Sequence, residues 1–317
     1  MKKIEVKLAF LSIFFVFCFL PGNSPLELIK FSKTPSSLIK VNASLPPLPP
    51  QPKKKIDFPP QITAESALLQ DFDSGQVLFA KNEEKKLSPA SLTKIMTAVV
   101  ALEEMGKEKI IILPKMEYYG QIVGLREGEL WRVKDLLYGL LVMSGNDVAY
   151  ALADSYPGGR EAFVNQMNQK ATALGMVSSH FVNPCGRYHL QHYSTADDLS
   201  RLIFYVWQND FFKEIVKTNQ GNICDVTGNA CYQIYSTNEL LGVFPGILGI
   251  KTGWTPEAGE CFISFWEKNH RHLISIILNS ENRFLDTQNL LAWGAVNFNY
   301  QSIKSIDFLS LFRLESN

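Results

Sequence analysis

What most restricts this chain is where its strand-forming runs fall. Three lie close together near the end, "GILGIKTGWT", "ECFISFWEK" and "RHLISIILN", each rich in β-branched and aromatic residues and separated by turn residues. Two more, "SALLQD" and "QVLFA", stand near the other end on either side of "FDSG", which reads as a hairpin. The stretch between them carries helical periodicity and no βαβ alternation. Strands at both termini with helices in the middle predict an α+β domain: an antiparallel sheet built from terminal strands, flanked by helices, with an inserted helical subdomain.

The helical patterns are specific. "PASLTKIMTAVV" reads as a helix start, with Ser88 as N-cap, Pro89 in the first turn and Ile95, Met96, Ala98 and Val99 on a buried face. "VKDLLYGLLVM" puts Val133, Leu136, Leu137 and Leu140 on one face. "GREAFVNQMNQKATALGM" turns Ala162, Phe163, Met167 and Leu174 inward and ends at Gly175. Thr195 precedes two aspartates, a capped start for "TADDLSRLIFYVWQ". A closing helix runs from Phe284 to about Asn299.

Outside residues 61–300 the composition changes. Lys2, Lys3 and Lys7 precede an apolar run from Leu8 to Leu20, an n-region and h-region followed by Pro21-Gly22. Those 13 residues span only about 20 Å of a roughly 30 Å hydrocarbon core, so length favours an export signal over a full span. Residues 1–24 are read as a signal or an N-terminal membrane anchor, with cleavage or retention both open. Residues 25–60 carry eight prolines from Pro35 onward and read as an extended linker. Residues 301–317 form a tail that could lie on a membrane or pack back on the domain. Lysine plus arginine equals aspartate plus glutamate at 31 each, and no dense basic patch stands outside Lys53–Lys55, which argues against a nucleic-acid partner.

Cys224 and Cys231 flank the turn signal "DVTGNA" and are a disulfide candidate across a short hairpin if the protein is exported; two free buried thiols are the alternative. The histidines show no ligand spacing with the cysteines, so neither a metal nor any other cofactor is expected.

Three short motifs remain. Ser91 and Lys94 sit at i and i+3 and share a helix face, holding a hydroxyl beside an amine. The only other S-x-x-K, Ser37–Lys40, lies in the proline-rich stretch with no helix to hold it. Ser144 and Asn146, in "MSGND", fall on a loop just past a buried helix. Lys251-Thr252-Gly253 lies in a strand, where adjacent side chains point to opposite faces and glycine allows close backbone approach. Each motif alone is common. A solvated lysine, a loop serine and an edge strand explain them one at a time.

In order, S-x-x-K, S-x-N and K-T-G match the set of penicillin-binding proteins and class A β-lactamases. With "SALLQDFDSGQVLFAKN", "LLYGLLVMSGNDVAYALA", "MNQKATALGMVSSHFVNPCG", "HYSTADDLSRL" and "GILGIKTGWTPEAGECF", residues 64–300 resemble the D-alanyl-D-alanine carboxypeptidases among the low-molecular-mass penicillin-binding proteins. The resemblance implies a β-lactamase/transpeptidase-like fold and a serine carboxypeptidase. Its partners would be peptidoglycan stem peptides ending in D-Ala-D-Ala and β-lactams as covalent inhibitors; the cell membrane is expected as a further partner through this chain's own apolar N-terminal segment. It implies Ser91 as nucleophile, Lys94 as base, Ser144 as proton relay and Asn146 as the group fixing Lys94 and the substrate amide. Lys251, Thr252, Gly253 and Thr255 would hold the substrate carboxylate. The backbone N–H groups of Ser91 and Trp254 would form the oxyanion hole. The chain departs from the family around Cys185 and Arg187 in "NPCGRYH", a loop expected to border the substrate.

Two rivals are a class A-like β-lactamase and a non-catalytic peptidoglycan-binding envelope protein. The first needs a glutamate that positions water, and "EAFVN", Glu161 to Asn165, matches the expected spacing superficially. The second would show a broken catalytic set, whereas every reactive position is filled.

Overall fold

Residues 58–115 and 120–299 are described by the computed structural model, together with the backbone of Gln51–Pro52. Five strands form the main sheet: β1 (Ser66–Asp71), β2 (Val77–Lys81), β3 (Ile247–Thr255), β4 (Gly259–Lys268) and β5 (Arg271–Ser280). They lie in the order β2-β1-β5-β4-β3 with every pair antiparallel. The N-terminal hairpin therefore docks on the last strand, with Ser66 opposite Leu278 and Asp71 opposite Leu273.

Period-two alternation decides which side chain goes to which face. On one face Leu68, Ile263, Phe265, Ile274 and Ile276 join the larger core beneath the helical region. On the other, Ala67, Leu69, Phe262, Leu273 and Ile277 pack with Leu290 and Leu291 of the closing helix α7 (Arg283–Asn297). Both faces are covered, so these strands are apolar nearly throughout. Ser264 and Ser275 are buried polar residues at the centre of the sheet; directly opposite each other, their hydroxyls pair at 2.7 Å.

The helical region lies between β2 and β3 in sequence: α1 (Thr93–Val100), α2 (Val133–Leu141), α3 (Asn146–Asp154), α4 (Gly159–Ala173), α5 (Ala196–Val206) and α6 (Asp210–Val216). Thr195 caps α5 by accepting from the Asp198 amide, and Gly175 follows α4 with φ +72°. Phe163 and Met167 are buried on α4, whereas Ala162 and Leu174 are only half-buried. A hairpin, Gln220–Cys224 with Cys231–Tyr235, places Cys224 opposite Cys231, and the two are disulfide-bonded.

Two boundaries differ from the sequence expectation. Asn146 is not on a loop but opens α3. The closing helix stops at Asn297, because Phe298–Asn299 turns extended and pairs with Gln51–Pro52. The end of the expected linker thus meets the domain. The expected signal or anchor, most of the linker and the tail lie outside the described residues.

Candidate active site

Ser91 is the middle residue of a tight 3₁₀ turn, Ala90–Leu92, that runs directly into α1. The expected cap fails: Pro89, with no side-chain hydrogen bond, precedes the turn, and the buried Ser88 hydroxyl has no hydrogen-bond partner among the described residues. The reason is Ala90, whose φ of +47° breaks the helical path upstream of Ser91. Lys94 lies three residues on, fully buried. Its Nζ donates to Ser91 Oγ at 2.8 Å, Asn146 Oδ1 at 2.7 Å and the Cys185 carbonyl at 2.9 Å. Burial lowers its pKa to about 8, while nearby Cys185 and Asp147 work in the other direction.

Each partner of Lys94 is held from behind. Buried Asp147 accepts from the amides of Val123, Gly124 and Leu125, and the Asn146 amide donates to the Gln121 carbonyl at 2.8 Å. Residues 121–125 are thereby pinned over the start of α3. Across the cleft, Asn183 Oδ1 accepts from the amides of Cys185, Gly186 and Arg187, shaping the turn that presents the Cys185 carbonyl. Thr97 on α1 reaches the same turn through the Pro184 carbonyl at 2.6 Å. Ser144 is nearly buried with φ +64°, a sparsely populated conformation for a serine and of the kind that collects at functional sites.

The sheet supplies the opposite wall through its edge strand β3. Gly253 has no Cβ to spare: one added there would lie 3.0 Å from the Ser91 amide nitrogen and 3.1 Å from Ala90 Cβ. Glycine lets β3 run against the backbone of Ser91, with Trp254 next along the strand at the cleft. Thr252 shares a 2.6 Å hydrogen bond with Thr237, and Thr255 accepts from the Ala258 amide. Lys251 is buried and donates to the Thr252 carbonyl; burial, then the charges of Lys94 and Arg283, push its pKa well below the usual lysine value.

These groups surround one cleft of about 560 Å³. Ser91, Ser144, Asn146, Thr252, Gly253, Trp254 and Thr255 line it, as do Cys185 and Arg187 of the departing loop. Lys94 and Lys251 lie behind the lining. Glu161 and Asn165 do not line it and point outward from α4. Among the described residues, no cluster of His, Cys, Asp and Glu could hold a metal ion. Cys224 and Cys231 are away from the lining and serve the hairpin.

Of the lining residues that escaped the sequence reading, two bear on the strand wall. Thr237 had no local signal, since only the fold brings it to Thr252. Arg283 did have one: it is a cation in the first turn of α7, where the helix dipole disfavours positive charge. Its Nη1 donates to the Gly253 carbonyl at 3.0 Å, and its buried Nε has no hydrogen-bond partner among the described residues.

Chemically, the arrangement offers a hydroxyl beside a buried amine of depressed pKa, with further hydroxyls and a guanidinium lining the same cleft. It is suited to acyl transfer from a substrate with an anionic terminus. Comparison with known proteins gives the same answer. The profile described as D-alanyl-D-alanine carboxypeptidase matches residues 53–282. The chain is similar to the D-alanyl-D-alanine carboxypeptidase DacF of Bacillus subtilis, with 33% identity over 68% of this chain and 57% of that protein. It is similar to a D-alanyl-D-alanine endopeptidase of Pseudomonas aeruginosa, with 31% identity over 86% of this chain and 88% of that one. Among solved structures, a Streptomyces DD-transpeptidase superposes with a TM-score of 0.71 at 30% identity, covering 75% of this chain and 99% of its own. Penicillin-binding protein D2 of Listeria monocytogenes in its cefotaxime-bound form gives 0.65 at 29% identity, over 74% and 98%.

Proposed function

Because the chain belongs to the D-alanyl-D-alanine carboxypeptidase family of serine hydrolases, we propose that it removes the C-terminal D-alanine from peptidoglycan stem peptides ending in D-Ala-D-Ala. The observation that carries the reading is the 2.8 Å contact between Ser91 Oγ and a fully buried Lys94 whose pKa is brought to about 8. A serine hydroxyl needs a base at neutral pH, and a buried lysine is one.

Ser91 Oγ attacks the carbonyl carbon of the penultimate D-alanine while neutral Lys94 takes its proton. The carbonyl π pair moves onto oxygen, where the Ser91 and Trp254 amides receive it. When the tetrahedral centre collapses, the C–N bond breaks and the leaving amine takes a proton from Lys94, relayed by Ser144. Water then attacks the acyl ester, with Lys94 again the base, and releases the shortened peptide. Asn146 holds Lys94 Nζ and the substrate amide. Thr252, Thr255 and Arg283 receive the terminal carboxylate at the cleft surface. Lys251, buried behind the strand, donates to the Thr252 carbonyl and steadies the carboxylate-binding end of β3.

β-Lactams, whose strained amide imitates the same bond, would acylate Ser91. The substrate lies outside the cytoplasm, so the protein acts in the cell envelope, exported or tethered by the segment before Pro21. No helix among the described residues is long and apolar enough to cross a membrane. Glu161, outside the cleft, gives no support to the class A β-lactamase reading. The similarity to an endopeptidase over most of both chains favours one second reading: the same acyl step with a cross-linked stem as leaving amine.

Incubation with a synthetic pentapeptide ending in D-Ala-D-Ala should release free D-alanine, and Ser91→Ala should release none. Cleavage of a cross-linked dimer with no D-alanine from the pentapeptide would favour the endopeptidase; inertness toward both would refute the proposal.

A further inference from the structure

Lys94 is tied to the 183–187 turn twice, once directly and once through a histidine that the chemistry above does not use. The direct tie is the Cys185 carbonyl, 2.9 Å from Nζ. The second runs through His192, which is only 1% exposed and sits between the start of α1 and that turn. Its Nε2 lies 2.8 Å from the hydroxyl of Thr93, the residue next to Lys94. Its Nδ1 lies 3.2 Å from the Val182 amide nitrogen and 3.3 Å from Asn183 Nδ2.

These contacts fix the tautomer. Asn183 Oδ1 is turned away from the ring, accepting from the amides of Cys185, Gly186 and Arg187. Its Nδ2 and the Val182 amide therefore both aim N–H groups at Nδ1. Nδ1 is the acceptor, and the one proton of the neutral ring sits on Nε2 and is donated to Thr93 Oγ1. A second proton, on Nδ1, would face two donors and no acceptor. Burial, with His180 and His189 nearby, brings the His192 pKa down to about 3, so the ring is neutral wherever Lys94 titrates.

The hydrogen bonds close into a ring. Lys94 Nζ donates to the Cys185 carbonyl, and the Cys185 amide donates to Asn183 Oδ1. Asn183 Nδ2 donates to His192 Nδ1, and His192 Nε2 donates to Thr93, which α1 holds beside Lys94. We propose that His192 is a positioning residue for the base: as the neutral Nε2–H tautomer it fastens the 183–187 turn to the start of α1, and so holds the Cys185 carbonyl on Lys94. His192 does not line the cleft. It acts through Asn183 and Thr93 on the direction in which Lys94 meets Ser91. Its effect on rate rests on the carboxypeptidase reading; its effect on Lys94 does not.

The test uses the full chain with isotope-labelled histidine and lysine, read by NMR, and acylation by labelled penicillin. In the native protein His192 should be neutral with Nε2 protonated from about pH 6 to 9; a proton on Nδ1 would overturn the proposal. His192→Phe keeps a ring of similar volume and loses both hydrogen bonds, while Thr93→Val removes one with little change of shape. The Cys185 carbonyl favours the charged amine, so loosening it should move the Lys94 titration midpoint to lower pH in both variants. The acylation plateau should fall by about tenfold in His192→Phe, because the base loses its direction, and by less in Thr93→Val. The double variant should be no slower than His192→Phe, since both break one path. Additive losses, or an unchanged midpoint and plateau in the single variants, would overturn the proposal. If His192→Phe does not fold, Thr93→Val and the tautomer decide. If the native protein neither releases D-alanine nor takes up penicillin, the carboxypeptidase reading fails by itself, and the tautomer and the Lys94 midpoint still decide for or against His192.

Discussion

At the scale of single residues the account turns on the protonation of Lys94. A general base must be neutral to accept the Ser91 proton. With a pKa of about 8, roughly a tenth of Lys94 is neutral at pH 7 and about nine tenths at pH 9. The acylation rate should therefore rise with pH through about 8 and level off above it. A flat profile between pH 6.5 and 9.5, followed with a chromogenic cephalosporin, would remove Lys94 from this role. Lys94→Ala should slow acylation by about 10²–10⁴. Lys251→Ala should cost less than Lys94→Ala and act mainly on recognition of the substrate carboxylate. Equal, small losses from both substitutions would contradict the division of labour. The pair itself was legible in the sequence because i and i+3 place any two side chains on one helix face. What supports the pair was not. Asn183 and Arg283 act across long stretches of chain, and Ser88 lost its expected capping role to the reversed backbone at Ala90.

Elements set the distances that those residues need. Three meet at Ser91: the 3₁₀ turn into α1, strand β3 through Gly253, and the 183–187 turn through Gly186. Gly186 is the most constrained, combining φ +87° with backbone contact that leaves no room for a side chain. Gly186→Ala must displace either the Ala90 carbonyl or its own turn, and the Cys185 carbonyl moves with it. Acylation should fall by at least about tenfold, with lysine and serine both present. Unchanged acylation in a protein of unchanged melting temperature would show that the turn does not position the nucleophile. Helix and strand identities were readable from periodicity and caps, as Thr195 and the β1–β2 hairpin show. Their junctions were not, because close approach of two backbones depends on which distant segment arrives.

Across the whole molecule, the two ends of the domain are tied by one buried carboxylate. Asp286, on α7, accepts from the Thr63 and Ala64 amides and from the hydroxyls of Thr63 and Ser280. It joins the entry to β1 with the exit from β5. Asp286→Ala would leave buried donors without a partner and should lower unfolding stability by about 3 kcal/mol in urea titration. A loss under about 1 kcal/mol would mean that water replaces the carboxylate there. The closure of terminal strands into one sheet followed from the distribution of strand-forming runs, because a chain with no βαβ alternation has few other ways to bury them. The polar tie did not, since an aspartate in the first turn of a helix is ordinary in sequence.

The most direct test of the central claim is to locate the adduct formed with a labelled penicillin by peptide mapping and mass spectrometry. The account predicts one covalent acyl group, on Ser91, absent in Ser91→Ala and formed faster at pH 9 than at pH 7. An adduct on Ser144 or any other residue, or labelling that survives Ser91→Ala, would contradict it.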